Sequence, residues 1–366
     1  MVKRARSRGT LASLAAELGV SRTTVSNAYN HPDQLSAQLR ERILAAAAAR
    51  GYPGPDPMAR SLRTRRAGSI GVLLTEHLTY AFEDAASVDF LAGMAEATSG
   101  SESSLTLIPA GPSETDASAL VGRAAVDGVV VYSVAQSDPH LAAARARGLP
   151  LVVCDQPKDV IDLPFVGIDD RAAIRPAARA LVEAGHRRIG ILAIRLERDR
   201  HDGPVDPAVL PGAALHVQRD RVLGALEEFG AAGIATECVP VITRHINDHA
   251  NCLSAAREML TTHPDVTAVL CTTDSMALGV LEYARDQGIA VPRELSVTGF
   301  DGIRNALIMG LSTVLQPNRA KGAAAGRMLL LLLDAHLADQ LPAGPPPREI
   351  LATTFHAGQT VAPPRQ

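Results

Sequence analysis

The chain has 366 residues, 46% of them hydrophobic, which is enough for two or three domains with sizeable cores. Its net charge of −3 hides a polarity: residues 1–66 carry 12 Lys+Arg against 4 Asp+Glu, a net +8, leaving 24 against 35, a net −11, for residues 67–366. No apolar run reaches the 18 residues or so that a membrane span needs, and no apolar secretory segment precedes Thr10, so the sequence predicts a cytoplasmic protein whose basic end is drawn to a polyanion.

The first elements read as two short helices joined by a tight turn. Leu11, Leu14, Ala15 and Leu18 fall at i, i+3, i+4 and i+7, one apolar stripe behind a Thr10 cap, and Gly19 stops the helix. Ser21 caps a second helix that turns Val25, Ala28 and Tyr29 inward and Arg22, Thr23, Ser26 and Asn27 outward. In a helix-turn-helix this outward set enters the major groove, where Arg can grip guanine, Thr can meet a thymine methyl and Asn can pair with adenine. The plain alternative is an ordinary two-helix corner. Ser36 caps a third helix with Leu39, Ile43 and Ala47 inward, closed by Gly51. YPGPDP (52–57) is a linker, and Pro57 suits the first position of a helix over Met58 to Thr64 that is too short to stand alone.

From Ser69 onward, short apolar runs alternate with amphipathic stretches, the pattern of parallel βα units. Strands are predicted at 69–74, 104–108, 127–132, 150–154, 164–168, 188–193, 238–242, 266–271 and 295–299. Nine such strands exceed one comfortable sheet, so the fold class is α/β with two lobes, the chain crossing between them near 157–164 and again near 300 and 340. Ligands of open α/β sheets meet the carboxyl ends of strands, which makes the interlobe cleft the expected binding site. Asp155, Thr273, Asp274 and Asp301 stand at such ends. The Gly/Pro-rich loop from Arg195 to Val217 is long enough to cover the cleft.

No catalytic pattern is present: GxSxG, GxxxxGK, HExxH and a GxGxxG at a strand–helix junction are all missing, so an enzyme on this core lacks a nucleophile, base or phosphate loop. Cys154, Cys238, Cys252 and Cys271 have no metal-ligand spacing and read as buried free thiols. His245 and His249 are four apart but lack a third ligand, and His186 reads as structural; neither a metal nor a cofactor is expected.

The run LAAELGVSRTTVSNAYN, Pro32 and the RERILAAAAARGY helix resemble the N-terminal module of the LacI/GalR family of bacterial transcription regulators. PMARSLRTRRAGSIGVLL resembles that family's hinge helix and first core strand, and GHRRIGIL, TTDSMALG, VPRELSVTGFDGI and STVLQP resemble its effector-domain landmarks in family order. The resemblance implies a helix-turn-helix domain over 1–56, a hinge over 57–67 and a periplasmic-binding-protein-like effector and dimerisation domain over 68–366. It implies a homodimeric regulator, most often a repressor, whose hold on a near-palindromic operator responds to a small effector, sugar or nucleoside-like. Thr10, Ser21, Arg22, Thr23, Thr24, Ser26, Asn27 and Asn30 of the head and Arg60, Ser61, Leu62 and Arg63 of the hinge are then the DNA-binding set, with Leu62 an apolar wedge in the minor groove. By the same resemblance Arg221 and Asp301 bind effector, joined by Asp155, Thr273, Asp274, Tyr80 and Phe82. The chain departs from the family pattern at Asn27, where Arg is usual, at Thr273, where Asn is usual, in extra Pro/Gly-rich sequence between Tyr52 and Ala59, and in lacking the N-P-F-F tetrapeptide near Tyr80. A transport-type solute-binding protein sharing the core is the alternative; residues 1–66 count against it.

Overall fold

The computed structural model describes residues 9–55, 61, 66–101, 103–111, 116–340 and 344–365. It divides into two compact units, residues 1–67 and residues 68–366. Most of the expected hinge helix, including Arg60, Leu62 and Arg63, lies outside the described residues, and of its candidate site residues only Ser61 is described.

Among the described residues the first unit holds the α-helices α1 (Leu11–Leu18), α2 (Arg22–Asn30) and α3 (Ala37–Ala49). Each begins where a side-chain oxygen can take an orphan amide. Thr10 and Ser13 cap one another reciprocally, Ser21 Oγ accepts from the Thr24 amide at 3.0 Å, and Ser36 Oγ accepts from the Leu39 amide at 3.3 Å. Gly19 ends α1 at φ 68°, a left-handed turn that costs glycine nothing. Leu14, Val25, Ala28, Ile43 and Ala47 make the core, and Tyr29 closes it edge-on against Tyr52 with ring centroids 6.1 Å apart.

The second unit is built on two sheets. The first has the order β12-β5-β4-β3-β1-β2, with β1 Ser69–Thr75, β2 Ser104–Ala110, β3 Gly128–Tyr132, β4 Leu151–Cys154, β5 Phe165–Gly167 and β12 Arg348–Ile350, all parallel. The second has the order β13-β11-β10-β9-β6-β8-β7, with β6 Ile189–Ile194, β7 Gly203–Pro204, β8 Val241–Arg244, β9 Ala268–Cys271, β10 Ser296–Asp301, β11 Ser312–Leu315 and β13 Thr354–His356. Only its edge strands β7 and β13 run antiparallel. Central strands such as GVVVY and AVLC are apolar throughout because helices cover both faces of a parallel sheet. On the first lobe the helices Ala85–Thr98 and Asn318–Leu337 approach so closely that a Cβ on Gly93 would lie 1.9 Å from the Arg319 carbonyl oxygen.

Several expected boundaries move. β5 still pairs with β4, so the first crossing follows Gly167 rather than occupying 157–164. The prolines and acids before Phe165 form a detour within the first lobe, after which three apolar residues complete its sheet. The second crossing follows β11, not residue 300, and a third separates β12 from β13 at 351–353, not near 340. The strand expected at 238–242 begins at Val241, since Thr236–Cys238 is a 3₁₀ turn followed by Pro240. That turn leaves Cys238 exposed, against the expectation of four buried thiols; Cys154, Cys252 and Cys271 are buried.

Candidate functional site

On the recognition helix, Arg22 and Thr23 are exposed in the first turn. The other candidates divide by what already holds them. Thr10 and Ser21 are caps, Thr24 Oγ1 is 2.8 Å from Ser21 Oγ, and Asn30 Nδ2 donates back to the Ser26 carbonyl and hydroxyl at 3.1 Å. Asn27 Nδ2 donates to Gln34 Oε1 at 2.9 Å, which ties α2 to the Pro32–Gln34 turn and leaves the Asn27 amide oxygen as its available acceptor. Ser21, Thr24, Ser26, Asn27 and Asn30 are therefore engaged in local bonds of this helix, while Arg22 and Thr23 are exposed.

In the second unit the carboxyl ends of both sheets face one cleft. Its distinguishing feature is backbone strain. Glu76 after β1, Ser133 after β3, Asp155 after β4 and Asp301 at the end of β10 all have left-handed backbones, with φ of 64°, 57°, 67° and 127°. Such a conformation costs a non-glycine residue on the order of 1–3 kcal/mol and persists where surrounding structure enforces it, typically at ligand clamps.

The side chains there form buried polar contacts across the lobes. Lys321, fully buried near the start of the Asn318–Leu337 helix, donates to both oxygens of Asp155 at 2.9 and 2.7 Å and to Gln316 Oε1 at 2.8 Å. Gln316 Nε2 donates to Asp301 Oδ1 at 2.7 Å. Arg221 Nη1 lies 3.6 Å from that same oxygen, while Arg221 Nε donates to Asp170 at 2.8 Å and the guanidinium carbon stacks 3.8 Å over the Phe300 ring. Tyr80 of the first lobe donates to Asn247 Oδ1 of the second at 2.7 Å, and Arg195 meets Glu76 at 3.2 Å. The cleft encloses about 50 Å³ in this arrangement. That is room for a few water molecules.

Burial governs the charges. It pushes the Asp301 carboxyl well above its ordinary value against the pull of Arg221, and pushes Asp170 and Asp274 each up to about 6. The Tyr80 and Tyr132 hydroxyls are raised by burial as well, which keeps them protonated donors.

Asp155, Arg221, Thr273, Asp301 and Tyr80 all line the cleft. Phe82 does not: it is 61% exposed, on the turn of its short helix opposite Tyr80 and Ala81. Asp274 is buried behind the cleft, accepting from the Thr313 hydroxyl at 2.5 Å and the Ile303 amide at 2.8 Å, so it braces the site instead of facing it. Residues that sequence reasoning passed over are Gln156, Arg195, Gln218, Asn247, Gln316 and Lys321. Gln316 lies within the landmark STVLQP, and Lys321 left a signal as a cation that follows Arg319 in the small-residue run NRAKGAAAG. The loop after Arg195 folds mainly onto its own lobe, pairing β7 with β8, while Arg195 and Arg198 reach Glu76 and Asp138 of the first. His186 is satisfied at both ring nitrogens, by Thr267 Oγ1 and the Ala362 carbonyl at 2.9 Å each. Among the described residues no His/Cys/Asp/Glu cluster could hold a metal ion, and no helix is long and apolar enough to cross a membrane.

A periplasmic binding protein-like domain model matches residues 178–361. The HTH-type transcriptional regulator IpsA of Corynebacterium glutamicum is 56% identical over 97% of this chain and 98% of its own. A crystal structure of a LacI-family transcriptional regulator from the same organism superimposes with a TM-score of 0.75 at 52% identity, covering 97% of this chain and 99% of that one. The regulator CelR in complex with cellobiose gives 0.66 at 28% identity over 96% and 100%. The lac repressor dimer bound to operator and an anti-inducer shares the fold, at 0.74 and 22% identity over 97% and 99%.

Proposed function

The chain belongs to the LacI/GalR family of transcription regulators and is a DNA-binding regulator, and from that premise we propose that it works in the cytoplasm as a homodimeric repressor whose operator affinity is set by a small polar effector in the interlobe cleft. The alternative of a transport-type solute-binding protein falls with the regulators that match 97% of the chain. The single observation that carries the effector reading is the buried chain of contacts from Lys321 and Asp155 of the first lobe through Gln316 to Asp301 and Arg221 of the second, with Asp155 and Asp301 both in left-handed backbones. Strain and buried charge are retained here although each disfavours folding.

Arg22 and Thr23 read bases, Asn27 presents its oxygen, and Thr10, Ser21, Thr24, Ser26 and Asn30 hold the helix and meet phosphates. Arg60, Ser61, Leu62 and Arg63 act in the minor groove, with Leu62 as the wedge. Two heads about one helical turn apart match two half-sites. In the cleft, Asp301, Gln316 and Arg221 are suited to hydroxyl or amide groups, Asp155 is neutralised by Lys321, and Tyr80 donates; a sugar- or nucleoside-like ligand is the class this set fits, as cellobiose is for CelR. Because a ligand shifts a two-state equilibrium only through unequal affinity for the two states, groups that join the lobes are the ones able to transmit it. The test has two arms. In vitro selection from random DNA should return a near-palindrome bound in a salt-sensitive complex, and a thermal-shift screen of sugars, nucleosides and small acids should return a ligand that changes that binding. Selection that returns no preferred sequence under any ligand condition would sink the reading.

A further inference from the structure

The loop between β6 and the helix His216–Ala231 lines a second cavity of about 350 Å³, which shares Arg195 with the cleft. That is seven times the volume of the cleft and within the range of small-molecule sites. Its walls are mostly apolar, from Leu196, Pro204, Val205, Val209, Leu210 and Ala213. Two buried polar side chains, Thr243 and Arg195, interrupt them, and the exposed His201, its Nε2 3.1 Å from the Pro204 carbonyl, lines the cavity as well. Thr243 is 1% exposed and Arg195 5% exposed, and among the described residues Thr243 Oγ1 and Arg195 Nε have no hydrogen-bond partner. Both face this side of the sheet: Thr243 alternates with Ile242 and shares a face with Val241, which packs in the same cluster as Leu210 and Ala213.

A buried donor left unmade disfavours the fold, and here two such groups meet one apolar chamber. Arg195 Nη1 is committed to Glu76 at 3.2 Å and to the His245 carbonyl at 3.3 Å, which leaves Nε as its buried, unpartnered donor. The rim carries Glu197, Asp199 and Asp206. Glu197 and Asp206 take backbone amides at 3.2 and 2.9 Å, but all three carboxylates oppose an anion. We propose that this loop cavity is a second small-molecule site, taking a neutral ligand with an apolar body and one hydrogen-bond acceptor that receives Arg195 Nε–H and the Thr243 hydroxyl. Binding there stands whether or not the cleft takes an effector.

The probe is para-fluorobenzamide, a flat apolar ring with a neutral carbonyl acceptor, titrated against the full chain and followed by fluorine NMR. Saturable binding is expected, at least tenfold tighter than for fluorobenzene, which lacks the acceptor, and for para-fluorobenzoate, which the rim repels. Thr243→Val, which removes a hydroxyl that has no partner to lose, should weaken the amide at least tenfold. Val209→Trp, at a wall residue 60% exposed and so tolerant of a larger side chain, should do the same by filling the chamber. Asp301→Asn in the cleft should leave the affinity unchanged. No saturable binding, equal binding of fluorobenzene, an unchanged affinity in both loop variants, or loss in Asp301→Asn alone would each overturn the proposal, the last by moving the probe to the cleft.

Discussion

The recognition helix and the interlobe cleft solve the same problem, holding polar side chains ready for a ligand, in opposite ways. On the helix the supporting bonds are short in sequence: Ser21 to Thr24, Ser26 to Asn30 and Asn27 to Gln34 span three to seven residues, Arg40 reaches the Ala28 carbonyl across twelve, and Arg22 and Thr23 stand in water. In the cleft the supports are distant: Lys321 holds Asp155 across 166 residues and Tyr80 reaches Asn247 across 167, all of them buried. A local, exposed arrangement loses little when one member is removed, because water replaces it. A distant, buried one leaves uncompensated charge.

That contrast is broken hardest at Arg221, which faces Asp170 and Asp301 at once. Arg221→Ala should destabilise the full chain by about 3–5 kcal/mol, because both carboxylates lose their cation without gaining water. Urea unfolding followed by circular dichroism measures it. A loss under about 1 kcal/mol would mean that solvent already reaches the pair and that the cleft is not the buried set of contacts described.

Proton linkage separates the two regions next. Asp170 is pushed up to about 6 by burial, while its unfolded carboxyl titrates near 3.9. Between about pH 4 and 6 the folded chain therefore holds more protons than the unfolded one, so stability from this group is full below about pH 4 and is lost as pH rises through 6. The separation corresponds to about 3 kcal/mol. In Asp170→Asn, whose amide oxygen can still accept from Arg221 Nε, the fall in stability from pH 4 to 6 should be smaller by up to that amount. A pH profile parallel to wild type would place the titration elsewhere.

The same contrast explains what could be read from the sequence. Capping residues, an apolar stripe and a glycine stop are neighbours in the chain, so the head, its three helices and its outward side chains were legible in residues 10–51. Asp155, Arg221, Thr273 and Asp301 were legible as polar residues after apolar strands or by family resemblance. Gln218 and Asn247 were not, because their importance comes from a facing lobe that no local pattern encodes. Phe82 and Asp274 show the converse, positions near a site whose side chains turn elsewhere. The crossings moved for a related reason: a three-residue strand such as Phe165–Gly167 is too short to announce which sheet it joins.

Base reading gives the next smaller effect. Against a site obtained by selection, Arg22→Ala should lose about 1–3 kcal/mol of discrimination at one base position and little affinity for random DNA. Equal weakening on both would make Arg22 a phosphate contact, and its first-turn exposure a property of position alone.

The smallest expected effect tests the local side most directly. Ser21 Oγ accepts the Thr24 amide at 3.0 Å and pairs with the Thr24 hydroxyl at 2.8 Å, so Ser21→Ala removes the side-chain N-cap of α2. The freed amide sits at a helix end open to water, which limits the loss to about 1 kcal/mol, near the middle of the range for N-cap replacement. That is roughly fivefold faster hydrogen exchange for amides of Arg22–Asn30. The loosened turn carries Arg22 and Thr23, so affinity should fall to a similar degree on selected and random DNA, unlike Arg22→Ala, because the whole helix is held less well. Amides of β10 and of the Asn318–Leu337 helix should exchange at wild-type rates, since no bond of the cap reaches them. Faster exchange there, or none in α2, would mean that the head does not hold itself together by the local contacts that distinguish it from the cleft.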